Sequence, residues 1–208
     1  MIPRATEVPI ETRRVSETGA LVARRFQRSC DVPSAFFERE SDRLSRACLE
    51  MARRFQRGGR LLVFGEGAEA TDAHHVAVEF VHPVLVGKRA LPAIALTSDV
   101  AAFGGAERSR EEDGFAHALE TIAMGADIAM AISRDTGSER LHRALALARS
   151  QGLLTLHLAG GTVPPSMRNA EWVFVVPAKD AMVVQEVHET LYHVLWELVH
   201  VFFEHRVT

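Results

Sequence analysis

From residue 60 onward, short apolar runs alternate with segments whose apolar residues return every three or four positions. That alternation predicts an α/β fold in which a parallel sheet is crossed over by helices. Five strands are expected, Leu61 to Phe64, Ala93 to Leu96, Ile128 to Ile132, Leu153 to Leu158 and Trp172 to Val176, all of them buried. Ahead of them the spacing predicts two helices. In the first, from about Ser16 to Arg28, Leu21, Val22, Arg25 and Phe26 recur at helical intervals, and Asp31-Val32-Pro33-Ser34 reads as a stop and a new cap. The second carries Phe36, Phe37, Leu44, Cys48, Met51, Ala52 and Phe55 to Gly58-Gly59. Residues 1 to 14 read as a frayed arm. A last helix, about Ala181 to Glu204, has Val183, Val187, Leu191, Val194, Leu198, Val201 and Phe202 in register and is expected to be largely buried. The two leading helices hold more apolar surface than one layer over a small sheet requires, so they pack either within the chain or between subunits.

Three loops follow strands on what the topology makes one side of the sheet. The first, Gly65-Glu66-Gly67, leads into a helix-permissive segment, and free N–H groups of a first helical turn make such a loop an anion site. The second, Ser133-Arg134-Asp135-Thr136-Gly137-Ser138, is rich in hydroxyls and capping residues, and the third runs from Ala159 to Pro165. Residues 104 to 113, glycine-flanked and charged, read as a surface excursion before a helix at about Phe115 to Met124. Beyond the first loop, His75 and Glu79 stand four apart and so project from one helix face, as two metal ligands, two proton-transfer partners or a surface pair would. Gln185, Glu189 and His193 make a comparable row on the last helix, which needs partners if buried.

Composition narrows the partners. With 208 residues, 47% of them apolar, and a net charge of -3, the chain is long enough for a substantial core and is expected to be a single soluble domain. Arg13-Arg14, Arg24-Arg25 and Arg53-Arg54 are interleaved with acids and read as solvated faces, so no nucleic-acid partner is expected. Cys30 and Cys48 lack metal-type spacing, and no apolar stretch is long enough for a membrane span; a cytoplasmic, reduced setting is the expectation.

Several separate motifs, in order, resemble sugar isomerase (SIS) domains. They are Gly65 to Glu79, Leu91-Pro92-Ala93-Ile94-Ala95-Leu96, Ile132-Ser133 and Val184-Gln185-Glu186-Val187-His188, and among SIS domains they look most like the sedoheptulose 7-phosphate (phosphoheptose) isomerases. The resemblance implies a three-layer sandwich with a five-stranded parallel sheet over residues 35–208, preceded by an arm and helix over 1–34, and a homotetramer joined through the terminal helices. It implies a metal quartet of His75, Glu79, Gln185 and His193, with zinc as the ion. It also implies an enediol mechanism on a sugar or sugar phosphate, with Glu79 as general base and His193 as general acid. By the same resemblance, Gly67, Ala68, Glu69, Ser133, Arg134, Asp135, Thr136 and Ser138 line the substrate. A non-catalytic SIS scaffold that binds a protein partner, like the DnaA initiator-associating protein, is the alternative.

The substrate shell departs from the family pattern. Where the family's first loop ends in a Ser that helps hold the sugar phosphate, this chain has Glu69, and the neutral second loop is here Ser133-Arg134-Asp135-Thr136-Gly137-Ser138. At 4 Å and an effective dielectric near 20, a carboxylate repels one phosphate charge by ~4 kcal/mol, which erases a phosphate subsite unless Arg134 offsets it. A family Arg is Pro83 here and a family Asp is Met182. The implied metal quartet is complete while the substrate shell is altered.

Overall fold

The computed structural model describes residues 10–98, 114–164 and 169–204. Among them five strands pair in parallel, β1 (Leu61–Gly65), β2 (Ala93–Ala95), β3 (Ile128–Ile132), β4 (Leu154–Gly160) and β5 (Trp172–Val176), in the order β2-β1-β3-β4-β5. Leu61 stands beside Ala93 and Ile128, and Ile128 beside Leu154, so the starts of β1 to β4 are level. Among the described residues five helices surround them: α1 (Ile10–Gln56), α2 (Glu69–Val81), α3 (Gly114–Ile122), α4 (Glu139–Ser150) and α5 (Ala181–Glu204). A 3-10 turn, Leu96–Ser98, follows β2.

Strand residues alternate sides, and this sorts the core into two layers. Leu61, Val63, Ile128, Met130, Ile132 and Leu156 pack with α1, α2 and α5, whereas Leu62, Phe64, Ala129 and Ala131 pack with α3 and α4. The result is the expected sandwich. Two close approaches hold the strand starts together. A Cβ at Gly59 would lie 2.1 Å from the Ala126 carbonyl oxygen, so only glycine fits there. Asp127, fully buried, receives the Arg60 backbone N–H at 2.7 Å, the Arg60 guanidinium at 2.7 Å and the Met124 N–H at 3.0 Å. Burial alone would raise its pKa, but these donors outweigh it and hold the carboxyl below its ordinary value.

Three expectations need correction. The segment around Pro33 does not separate two helices, because α1 runs through it as one 47-residue helix that starts at Ile10, inside the supposed arm. An interior proline costs a helix about 3 kcal/mol, which here is outweighed by packing on both sides. Phe36 to Phe55 share a core with Leu191, Leu195 and Val199 of α5, while on the other side of Pro33 the Arg25 guanidinium reaches Glu186 at 2.6 Å and Arg28 reaches Asp180 at 3.4 Å. Second, β2 is not buried: among the described residues it pairs only with β1, and Ile94 is exposed. Third, the Arg53-Arg54 pair is not simply solvated, since Arg54 donates to the carbonyls of Gly125 at 2.6 Å and Gly152 at 2.8 Å. The excursion at residues 104 to 113 lies outside the described residues, as do residues 1–9 and Pro165. No helix among the described residues is long and apolar enough to cross a membrane.

Candidate active site

The chain leaves β1 toward β2 on one side and returns to β3 on the other, and this reversal opens a crevice beyond the carboxyl ends of β1 and β3. Two loops face each other across it. In the first, Gly67 takes φ +58°, and a Cβ on Gly65 would sit 2.7 Å from the Glu69 carbonyl oxygen, so the backbone doubles back into α2 only with glycine there. In the second, a Cβ on Gly160 would lie 2.2 Å from the Arg134 carbonyl oxygen, and Gly160 N–H donates to the Asp135 carbonyl at 3.0 Å. Between the loops is a cavity of about 320 Å³, walled by Gly67, Glu69, Ser133, Arg134, Asp135 and Ser138 among others.

Of the eight residues expected around the substrate, those six line this cavity. Ala68 instead occupies the N-cap position of α2, and the Thr136 carbonyl accepts from His142 Nε2 at 2.8 Å. The first loop is not the open anion site its sequence predicts. The N–H groups of Glu69, Ala70 and Thr71 are already bonded to the carbonyls of Glu66, Gly67 and Ala68, at 3.1, 3.3 and 3.1 Å. The carboxylates of Glu69 and Asp72 lie in the first turn of α2, where the helix dipole favours negative charge. Arg134 answers them: its Nε is 2.8 Å from Glu69 Oε1 and its Nη2 is 3.9 Å from Asp72 Oδ2.

Beneath the second loop is a buried group of histidines. Ser133 Oγ donates to the Asp135 carbonyl at 3.1 Å and lies 2.9 Å from His157 Nε2, while the His142 and His157 rings meet edge-on at 5.5 Å. Burial, with the neighbouring His142 and His188, pushes the His157 pKa down to about 3. His188, fully buried, donates to the Ala159 carbonyl at 3.3 Å; burial lowers its pKa to about 4, the carbonyl resisting and the Arg134 charge assisting. Both imidazoles are neutral supports of the loop.

Two turns along α2 a second cluster forms against α5. Glu79 Oε1 lies 2.7 Å from His193 Nε2 and 3.2 Å from His75 Nε2, and donor atoms of all three residues fall within 4.8 Å of one another. Both imidazole side chains are about half exposed, at 48% and 51%, whereas Glu79 is only 16% exposed and its Oε2 is buried without a hydrogen-bond partner. An orphaned carboxylate oxygen beside two imidazole nitrogens is a donor set that fits a divalent ion, with zinc favoured by the nitrogens. His75 Nδ1 meets the Tyr192 hydroxyl at 3.0 Å, an outer contact that fixes the ring and turns Nε2 toward Glu79. Burial, reinforced by Glu189, Asp72 and Glu79, raises the Tyr192 pKa well above its ordinary value, so the phenol stays protonated. Gln185, the fourth expected ligand, donates its amide N–H to Asp72 Oδ1 at 3.1 Å.

Asp72 therefore links the two clusters, touching Gln185 with one oxygen and facing Arg134 with the other. Sequence reasoning missed it, together with Tyr192 and the Glu66–Arg140 pair at 3.4 Å. For Asp72 the available signal was its place three residues before His75 on one helix face; for Tyr192 it was a phenol on an otherwise apolar helix, which needs a partner when buried.

Comparison with known proteins places the sequence and the fold among relatives. The SIS domain model matches residues 26–160. The phosphoheptose isomerase of Thermodesulfovibrio yellowstonii is 30% identical over 86% of this chain and 89% of its own length, and that of Chlorobaculum tepidum is 34% identical over 86% and 88%. In fold, the chain resembles the solved structure of phosphoheptose isomerase from Neisseria gonorrhoeae, with a TM-score of 0.74 at 21% identity over 88% of this chain and 98% of that one.

Proposed function

Because this chain belongs to the SIS domain family, we propose that it interconverts an aldose and a ketose, as a free sugar or a sugar phosphate, by proton transfer at Glu79 and His193. One observation carries the reading: two helices distant in sequence bring the Glu79 carboxylate within hydrogen-bond distance of His193. In the ketose-to-aldose direction, Glu79 takes a proton from C1 and the C–H electron pair becomes the C1–C2 π bond. The carbonyl pair moves to O2, which receives a proton from His193, and the enediol results. Return of a proton to C2, with loss of the proton on O1, completes the exchange. Glu79 suits the base role because its Oε2 has no hydrogen-bond partner and so keeps an oxygen for a proton.

His75, Glu79 and His193, with the Gln185 amide oxygen, would hold a zinc ion, which when bound supplies Lewis-acid polarisation of the sugar carbonyl; His193 would then carry its proton on the ring nitrogen not used for the ion, and Glu79 would take one on its second oxygen. Tyr192 orients His75, and Asp72 orients Gln185. A cytoplasmic homotetramer is part of the same reading. Its support is an apolar groove of about 490 Å³ walled by Leu21, Val22 and Phe26 of α1 with Glu186 of α5, in which Phe26 is 70% exposed.

Turnover of a panel of pentoses, hexoses, heptoses and their terminal phosphates by the zinc-loaded protein tests the proposal. At least one pair is expected to interconvert, and Glu79→Gln to slow it at least 100-fold. Absence of turnover across the panel would remove the enzymatic reading.

A further inference from the structure

We propose that the cavity between the 66–69 and 133–138 loops takes an unphosphorylated, hydroxyl-bearing end of the ligand, so that the substrate is a neutral sugar and not its phosphate ester. This rests on the reading of the site as sugar-isomerising and specifies which sugars it admits.

A phosphate subsite needs uncommitted donors, and several of the donors beside this cavity are committed. The N–H groups of Glu69, Ala70 and Thr71 are bonded within their own turn; Gly137 N–H is held by Asp135 Oδ1 at 2.8 Å, and Leu141 N–H by Ser138 Oγ at 3.2 Å. The Ser133 hydroxyl is spent on the Asp135 carbonyl.

Charge points the same way. Arg134 is shared between Glu69 and Asp72, Arg140 is matched by Glu66, and Asp135 adds another carboxylate to the wall. Carboxylates thus outnumber guanidiniums, and a phosphate dianion entering would meet this excess at close range in a partly dry site. A hydroxyl meets a different situation. Arg134 Nε lies near Glu69 but makes no directed hydrogen bond, and the Glu69 and Asp135 carboxylates on the wall are acceptors. Carboxylate acceptors on the wall match a group that can donate, as sugar hydroxyls do and a phosphate ester dianion does not.

Calorimetric titration of the zinc-loaded full chain separates the alternatives, with fructose, sedoheptulose, ribulose, their terminal phosphates and inorganic phosphate as probes. The expected result is saturable binding of at least one free ketose, at least tenfold weaker binding of its phosphate, and none of inorganic phosphate. In the isosteric variant E69Q/D135N, the ratio of ester to free-sugar affinity is expected to rise at least tenfold. The proposal is overturned if the wild type binds an ester more tightly than its free ketose, if it binds no free ketose, or if a variant with an unchanged circular dichroism spectrum keeps the wild-type ratio. Should the variant not fold, the wild-type ratio alone decides. Turnover of the same probes keeps the two readings apart: a free ketose bound but not isomerised removes the enzyme and leaves this inference, whereas preferred binding and turnover of an ester does the reverse.

Discussion

Glu79 on α2 and His193 on α5 meet at 2.7 Å, with His75 closing the group from one helical turn before Glu79. The meeting depends on α2 and α5 lying on the same face of the sheet, and Phe80, Val76, Leu191 and Leu195 in their common core set that placement.

A metal held here depends on the imidazoles directly and on Tyr192 through His75. Elemental analysis is expected to give about one zinc per chain in the wild type and none after His193→Ala or His75→Ala. Tyr192→Phe is expected to retain zinc but bind it 10- to 100-fold more weakly in a chelator competition, because it removes only the outer contact. Full zinc content in His193→Ala would remove the quartet.

The buried histidines predict acid lability. The unfolded chain protonates His157 and His188 near pH 6.5, whereas the folded chain holds them neutral down to about 3 and about 4. Below pH 6.5 the unfolded state therefore binds more protons, and stability falls with pH until the folded values are reached. At pH 5 the loss is ~2 kcal/mol per histidine, an order-of-magnitude figure. His157→Gln removes one titration while keeping an amide near Ser133, so its loss in urea midpoint between pH 7 and pH 5 is expected to be visibly smaller. Equal losses would show that His157 is not the group responsible.

Subunit association through the exposed half of α1 predicts that Phe26→Asp lowers the mass measured by light scattering from that of a tetramer to that of a smaller species, with the circular dichroism spectrum unchanged. A monomeric wild type would contradict it.

Much of this fold was legible because the five apolar runs are also the five strands, four of them within a residue at each end. Pro33 misled because a local breaker was weighed without the packing of Phe36 and its neighbours on α5, which exists only in three dimensions. Edge position did the same for β2, since nothing in Ala93 to Ala95 says that β1 is its one partner among the described strands. In the site, the pairing of His75 with Glu79 follows from helical spacing, but His193 reached them through family resemblance alone. The opposition of Glu69 and Arg134 joins two loops from different crossovers, so it needed the strand order before it could be seen. The same holds for the first-turn amides of α2, whose internal bonds close an anion site that the glycine spacing alone leaves open.

Hydrogen exchange at the substrate carbon tests the central claim most directly. In D2O, with a sugar that the zinc-loaded protein binds, the account predicts deuterium entering at C2 of the aldose, seen by proton NMR. It predicts that Glu79→Gln, with zinc retained, slows this exchange at least 100-fold. Exchange at the wild-type rate in Glu79→Gln, or isomerisation without solvent deuterium at C2, would contradict proton transfer by Glu79.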